Sequence, residues 1–200
     1  KSDVWRIDYS NDTAGAPQRT YTAAAYYGTN ATSNKNYGWF AGGGTPGINY
    51  HSTVSRIDFA GDTITAVARG PLSTANRDRA ATGNANFGYF GGGANPSNTS
   101  RVDRIEYAND TPTTVLKGPL SVGRMMFGAT GNANYGWFGG GYSPSNLSTI
   151  DRIDYSSDTS TASVRGPLNT ATSRGSANGN VDVAYFGGGE PGPHTRIERI

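Results

Sequence analysis

Apolar residues in this chain fall in short alternating runs, broken by clusters of glycine, asparagine, aspartate and proline. Between residues 76 and 120 the runs are Arg79 to Thr82, made of small residues, then Phe87 to Phe90, Val102 to Tyr107 and Thr113 to Lys117. Alternation of this kind belongs to extended chain, and the turn-forming clusters separate one strand from the next. Gly83-Asn-Ala-Asn86 divides the first two runs, and Ala108-Asn-Asp-Thr111 divides the last two. No segment carries the 3.6-residue apolar period of a helix. The pattern predicts a unit of four short antiparallel strands.

That unit recurs. Tyr37-Gly-Trp-Phe-Ala-Gly-Gly43, Phe87-Gly-Tyr-Phe-Gly-Gly-Gly93, Tyr135-Gly-Trp-Phe-Gly-Gly-Gly141 and Val183-Ala-Tyr-Phe-Gly-Gly-Gly189 place Phe40, Phe90, Phe138 and Phe186 at intervals of 50, 48 and 48 residues. Arg-Ile followed by an acid and an aromatic begins at Arg6, Arg56, Arg104 and Arg152 and returns as Arg199-Ile200. Asp-Thr marks each copy at Asp12, Asp62, Asp110 and Asp158, always 28 residues before the phenylalanine. The repeats therefore span about 6–55, 56–103, 104–151 and 152–200. A period in this range is the signature of a repeat architecture.

A strand that ends in glycine in every copy implies that another backbone comes too close for a side chain. Blades of a propeller converge on a central channel and supply that crowding, while their outer strands have room for large residues. The expectation is an all-β propeller of four tandem four-stranded antiparallel blades. Its Phe-Gly-Gly stretches are expected innermost, and the strands of Arg69, Lys117 and Arg165 outermost. A hydrophobic strand ending in Gly-Gly, an aromatic and an acid closing the third strand, and Gly-Pro-Leu at 70–72, 118–120 and 166–168 together resemble the kelch repeat. The first copy departs from it with Thr20-Tyr21-Thr22, and no copy has the fourth-strand tryptophan of many kelch blades. The wording Arg-Ile-Asp-Tyr-Ser-Asn-Asp-Thr with Tyr-Gly-Trp-Phe-Gly-Gly-Gly also resembles repeats in virion or tail-appendage proteins of marine bacteriophages.

Residues 3–7 and 195–200 both align with the third strand, and a closed four-blade ring needs only one copy of it. The expectation is a piece of a longer repeat protein, with further blades or subunits completing the ring, because an uncapped blade leaves an open sheet edge. A self-closing four-blade ring is the alternative.

Composition narrows the class. The chain is glycine-rich, with 29 Gly, and only 16% charged, yet its 12 Tyr, 7 Phe and 3 Trp recur in register, which argues for order over disorder. Seventeen basic and 15 acidic residues are scattered, giving a formal charge of +2 and no basic run, so nucleic acid is not an expected partner. No stretch approaches the roughly 18 apolar residues that span a bilayer, so membrane insertion is not expected either. With no cysteine, thiolate chemistry, disulfides and the Tyr-Cys cofactor of kelch-type copper oxidases are excluded.

Catalysis finds little support, and the expectation is a non-enzymatic protein without cofactor. The two histidines, His51 and His194, fall in loops after the glycines, and no nucleophile-base arrangement can be read from spacing. The Asn-Asp-Thr turns offer oxygen ligands but lack the dense aspartate alternation of a calcium loop, so no metal site is expected. They are read as hairpin turns whose side chains bond nearby amides. An arginine with an acid two residues on, as in Arg152 and Asp154, reads as a structural pair between blades.

The copies differ most in the link leading into the first strand: Tyr26-Tyr27-Gly28-Thr29, Asn76-Arg77-Asp78-Arg79, Arg124-Met125-Met126-Phe127 and Thr172-Ser173-Arg174-Gly175. The loop after the second strand also diverges, carrying Tyr50 and His51 in one copy and Tyr142 in another. In an up-and-down blade these two elements share a rim. Tyr26, Tyr27, Tyr50, His51, Arg77, Arg79, Arg124, Tyr142 and Arg174 are therefore the candidate binding residues, with the composition of a recognition surface. Asn84 and Asn132 are expected on the opposite rim. The predicted function is a structural or recognition module, extracellular or part of a virion appendage, for a protein or cell-surface glycan. A lectin-type propeller and a propeller-based hydrolase or lyase are the alternatives.

Overall fold

The computed structural model describes residues 3–11, 15–22, 26–47, 49–61, 65–192 and 196–200, with Thr20 and Tyr21 described by their backbone alone. Among these residues the fold is all β apart from one 3-10 turn, Tyr155–Ser157. A hairpin of β1 (Asp3–Trp5) and β2 (Gln18–Tyr21) comes first. The first blade comprises β3 (Asn30–Ser33) and β4 (Tyr37–Ala41), then a small arm of β5 (Gly44–Thr45) and β6 (Asn49–Tyr50), then β7 (Val54–Asp58) and β8 (Val67–Arg69). The second blade is β9 (Ala80–Gly83), β10 (Phe87–Gly91), β11 (Val102–Glu106) and β12 (Val115–Lys117). The third is β13 (Gly128–Gly131), β14 (Tyr135–Gly139), β15 (Ile150–Asp154) and β16 (Ser163–Arg165). The fourth has three strands, β17 (Ser176–Gly179), β18 (Ala184–Gly187) and β19 (Ile197–Arg199). Each blade is antiparallel with its strands side by side in chain order, which is the meander of a β-propeller.

Local chemistry accounts for the hairpins. Asn34, Asn84, Asn132 and Asn180 each accept hydrogen bonds through Oδ1 from the amides two and three residues on, at 2.9–3.0 Å, closing the turn between first and second strands. Asn84 and Asn132 also donate from Nδ2 to the Ala133 and Val181 carbonyls, tying each blade to the next on that rim.

One expectation is corrected. The first strands, not the Phe-Gly-Gly stretches, are innermost: β3, β9, β13 and β17 occupy one edge of their sheets and pack against each other in succession, with β8, β12 and β16 at the opposite edge. The reason is size, since Ala80-Ala81-Thr82-Gly83 and Gly128-Ala129-Thr130-Gly131 carry nothing larger than threonine. Second-strand glycines serve the neighbouring blade instead. A Cβ on Gly91 would meet Phe138 at 2.9 Å, and one on Gly139 would meet Phe186 at 2.5 Å. Beyond the strand, Gly92 and Gly140 turn the chain with φ of +62° and +72° and lie against the Arg124 and Thr172 carbonyls of the next blade.

The core consists of layers between blades. Trp39, Val54, Leu72 and Phe90 with Ile105 and Tyr107 fill the first seam, and Tyr89, Val102, Phe127 and Phe138 with Ile153 and Tyr155 fill the second. Across them Tyr107 stacks on Trp39 at 4.1 Å and Tyr155 on Tyr89 at 4.7 Å. Their hydroxyls continue to the inner strand of the preceding blade, Tyr107 to Thr32 at 2.7 Å and Tyr155 to Thr82 at 3.2 Å. Burial pushes the Tyr107 phenol up to about 12, so it stays neutral as a hydrogen-bonding group.

The Asp-Thr turns differ from the sequence expectation as well. Asp110 does not bond its own turn but reaches back to the first blade, accepting from Trp39 Nε1 at 2.9 Å and pairing with Arg56 at 3.0 Å and Arg69 at 3.4 Å. Asp158 does the same to the second blade, taking Tyr89, Arg104 and Lys117 at 2.9, 2.8 and 3.1 Å. These are the inter-blade ion pairs, and their acid is this turn aspartate. Asp154, expected to pair with Arg152, accepts instead from the amide and hydroxyl of Ser156. Asp12 and Asp62 lie outside the described residues.

Candidate rim site

Each link into a first strand passes through a residue with left-handed backbone: Gly28 at φ +67°, Asp78 at +55°, Met126 at +58° and Arg174 at +58°. That conformation is uncommon for residues other than glycine. Here it aims the amides of Asp78, Met126 and Arg174 at the preceding blade. Asp78 N donates to the Gly28 carbonyl at 3.0 Å, Met126 N to Asp78 at 2.9 Å and Arg174 N to Met126 at 2.6 Å. The backbone one residue earlier is then held by an antiparallel bridge to the loop after the second strand, in the pairs Tyr27 with Gly44, Arg77 with Ala94, Met125 with Tyr142, and Ser173 with Glu190. The two divergent elements are thereby joined at the end of the inner strands opposite the asparagine turns.

At the seam of the first two blades, Arg77 lies between two tyrosines. Its guanidinium carbon is 5.5 Å from the Tyr27 ring centre and 5.6 Å from that of Tyr50, distances at which cation and ring attract. Arg77 also donates to the Tyr27 hydroxyl at 3.4 Å, and that hydroxyl donates to the Thr45 carbonyl at 3.1 Å. Asp78 sits beside it, with Arg77 Nε at 3.5 Å. Burial holds the Asp78 carboxyl above the usual aspartate range, against the opposing pull of Arg77 and Arg174. Tyr27, Arg77, Asp78, Met126 and Arg174 line one shallow depression to which all four blades contribute.

The other candidates have distinct places. Tyr26 is half-buried and stacks on His51 at 4.1 Å, forming a support beneath the arm of β5 and β6. Tyr142 is 39% exposed on the third blade. Arg174 pairs with Glu190 at 2.6 Å on the fourth, both more than half exposed.

Arg79 and Arg124 do not reach the rim, and their assignment to it is corrected. Their side chains are 1% and 0% exposed and pair with the equally enclosed Asp103 at 2.6 Å and Asp151 at 2.8 Å. The two positions are not equivalent in the repeat: Arg79 corresponds to Phe127, and Arg124 to Asn76. A guanidinium reaches the same carboxylate position from either one, so divergence in this stretch is partly an exchange of core residues. Sequence reading passed over Asp78, Met126 and Glu190 because no property of the residue type announces a left-handed position or a bridge to a neighbouring loop. His194 lies outside the described residues. Among those described, no group of three or more His, Cys, Asp or Glu side chains is placed to hold a metal ion.

No family model matches the chain, and no curated protein is significantly similar to it in sequence. In fold it is similar to the solved structure "Structure of YjhT", with a TM-score of 0.79 and 12% identity over 98% of this chain and 71% of that one. At that identity the likeness concerns the propeller fold alone.

Proposed function

We propose that this propeller is a non-enzymatic recognition module that docks a partner on the rim carrying Tyr27, Tyr50, Arg77, Tyr142 and Arg174. The observation that carries the reading is the Tyr27–Arg77–Tyr50 stack at the seam of two blades. Arginine and tyrosine are the side chains that dominate binding hot spots. An arginine already held between two rings also loses less rotamer freedom when a partner arrives.

A protein partner is favoured over a saccharide by how the rim amides are used. Asn95, Asn98 and Asn146 donate from Nδ2 to the carbonyls of Ala75, Tyr142 and Glu190, so each side chain is already oriented and has one N–H engaged before any sugar hydroxyl is met. An extracellular or virion setting, with blades of kelch-like type, accords with the aromatic-glycine and Arg-Ile-Asp-Tyr wording of the repeats.

The test is a binding screen of cell-surface and virion proteins beside a glycan array, followed by Arg77→Ala, Tyr27→Ala and Lys35→Ala on the opposite rim. Losses of about tenfold or more for the first two and none for Lys35→Ala are expected. Equal losses on both rims, or turnover of a glycan substrate, would overturn the reading.

A further inference from the structure

The shallow depression on the rim holds charged groups that the fold leaves uncommitted. Gly28, Asp78, Met126 and Arg174 occupy the same position of the four links, and all of them line it. Gly28 leaves the space into which the Asp78 carboxyl is laid, since a Cβ there would meet Asp78 Oδ1 at 2.5 Å. So seated, the carboxyl accepts no hydrogen bond among the described residues, and its enclosed Oδ2 has Arg77 Nε beside it at 3.5 Å. Asp103, Asp110, Asp151 and Asp158, by contrast, each accept two. A carboxylate enclosed with so little support holds its proton more tightly, and burial raises Asp78 above the usual aspartate range.

Two arginines that line the same depression have donors to spare, because a guanidinium carries several N–H groups in a fixed fork. Arg77 spends one on the Tyr27 hydroxyl in a long bond of 3.4 Å, and its contacts with the Tyr27 and Tyr50 rings hold it in place without using the others. Arg174 spends one on Glu190 at 2.6 Å, in a pair more than half exposed on both sides. Such a pair contributes little and is readily exchanged. Arg79 lines the depression too, but its guanidinium is turned inward to the enclosed Asp103. What faces the opening is thus two cations and one carboxyl that favours its neutral form. A lysine or arginine from a partner would meet like charge there, whereas a carboxylate meets complementary charge and idle donors.

On the reading that this rim docks a protein, we infer that the depression receives a carboxylate from an acidic segment of that partner, held by Arg77 and Arg174 while neutral Asp78 donates a hydrogen bond to the same anion. Guanidinium and carboxylate form short, charge-assisted bonds. Asp78 sets their strength. Ionised, it competes for Arg77 and repels the incoming anion; protonated, it frees Arg77 and adds a donor. Docking takes up a proton from solvent wherever the free chain holds Asp78 ionised, so affinity falls as pH rises through the carboxyl's raised value. The other titratable groups of this rim are the phenols of Tyr27 and Tyr50 that flank Arg77, Glu190, which Arg174 gives up to the anion, and His51, stacked on Tyr26 at 4.1 Å beneath the arm. A variant of Asp78 separates its effect from theirs.

Acetylated, amidated pentaglutamate, pentaglutamine and pentalysine are the probes, added at about pH 5 and about pH 7.5 while the backbone amide resonances of Asp78, Met126 and Arg174 are followed. Pentaglutamate is expected to shift them and pentaglutamine to leave them in place. Its dissociation constant should be about fivefold lower at the acid pH. Arg77→Ala and Arg174→Ala should each weaken it by about tenfold. Asp78→Asn, which keeps a residue tolerant of the φ of +55°, should bind at about pH 7.5 as tightly as the parent does at about pH 5 and lose the pH dependence. Resonances unmoved by pentaglutamate would overturn the inference. So would pentalysine binding abolished by Asp78→Asn, or a pH dependence that survives Asp78→Asn and so belongs to His51 or Glu190. A protein partner that needs Arg77 and Tyr27 but is not displaced by pentaglutamate would overturn it while leaving the docking face in place. A partner indifferent to Arg77→Ala and Tyr27→Ala would remove the docking face itself.

Discussion

The phenol of Tyr89 donates a 2.9 Å hydrogen bond to Asp158, which belongs to the next blade. Arg104 and Lys117 bind the same carboxylate from the same side, so one aspartate gathers three side chains of its neighbour. Asp158 is 7% exposed at its side chain, and Arg104 and Lys117 are 22% and 12% exposed, a burial at which removing the anion leaves a phenol and two cations poorly compensated. Asp158→Ala is expected to cost roughly 2–4 kcal/mol. Thermal or urea unfolding measures it. A cost within about 0.5 kcal/mol, the range of an ordinary surface change, would refute the clasp as a stabilising element.

The glycines after the second strand should separate by surroundings. Gly140 and Gly188 share a left-handed φ, +72° and +73°, but a Cβ on Gly140 would meet the Thr172 carbonyl at 2.7 Å while one on Gly188 meets nothing within 4 Å. Backbone strain alone is worth about 1–2 kcal/mol for a branched residue. Gly188→Val is expected to cost that much and Gly140→Val about 1–2 kcal/mol more, through the clash. Paired denaturation curves decide it, and equal costs would remove the argument from inter-blade crowding.

Arg124 carries stability and not recognition. Its Nη2 lies 2.8 Å from Asp151 and donates to the Phe138 carbonyl at 3.1 Å, while Nη1 donates to the Thr149 carbonyl at 2.9 Å. Truncation strands a buried carboxylate, so Arg124→Ala is expected to cost about 3–5 kcal/mol. Asp151→Asn in addition should recover part of that loss, because an amide needs no counter-charge. A double-mutant cycle reads the coupling. No coupling would mean that the two groups are neutralised by others.

How much of this was legible in the chain depends on where a residue's partner lies in sequence. Asn84, whose partners are two and three residues away, was readable as a turn, and the aromatic-glycine register gave four blades. Asp158 was misread because its partners are 69, 54 and 41 residues back, and the residue type alone suits a local turn equally well. Arg79 and Arg124 were misread for a related reason: divergence between copies marks a free surface only if each position is exposed, and here two positions exchange the task of reaching one buried carboxylate. The small residues of Ala80 to Gly83 did contain the answer to which strand is innermost, but the neighbouring glycine run was the louder signal.

Asp78 gives the rim a test that needs no partner. Its carboxyl is raised above 3.8 by burial foremost, with Arg77 and Arg174 acting in the other direction. At pH values between the ordinary and the raised pKa, the folded chain keeps a proton that the unfolded chain has released. The folded state thus binds more protons there, and its stability declines as pH rises through that window. The contribution is complete below the unfolded value and lost above the folded one. Asp78→Asn removes this titration while keeping a residue that tolerates the φ of +55°. The variant should therefore melt above the parent at about pH 7, and the gap should close at about pH 3, where both side chains are neutral. Melting curves at the two pH values measure it. A variant less stable than the parent at neutral pH would mean that Arg77 and Arg174 outweigh burial, and that Asp78 stands on the rim as a satisfied anion ready for a cationic partner.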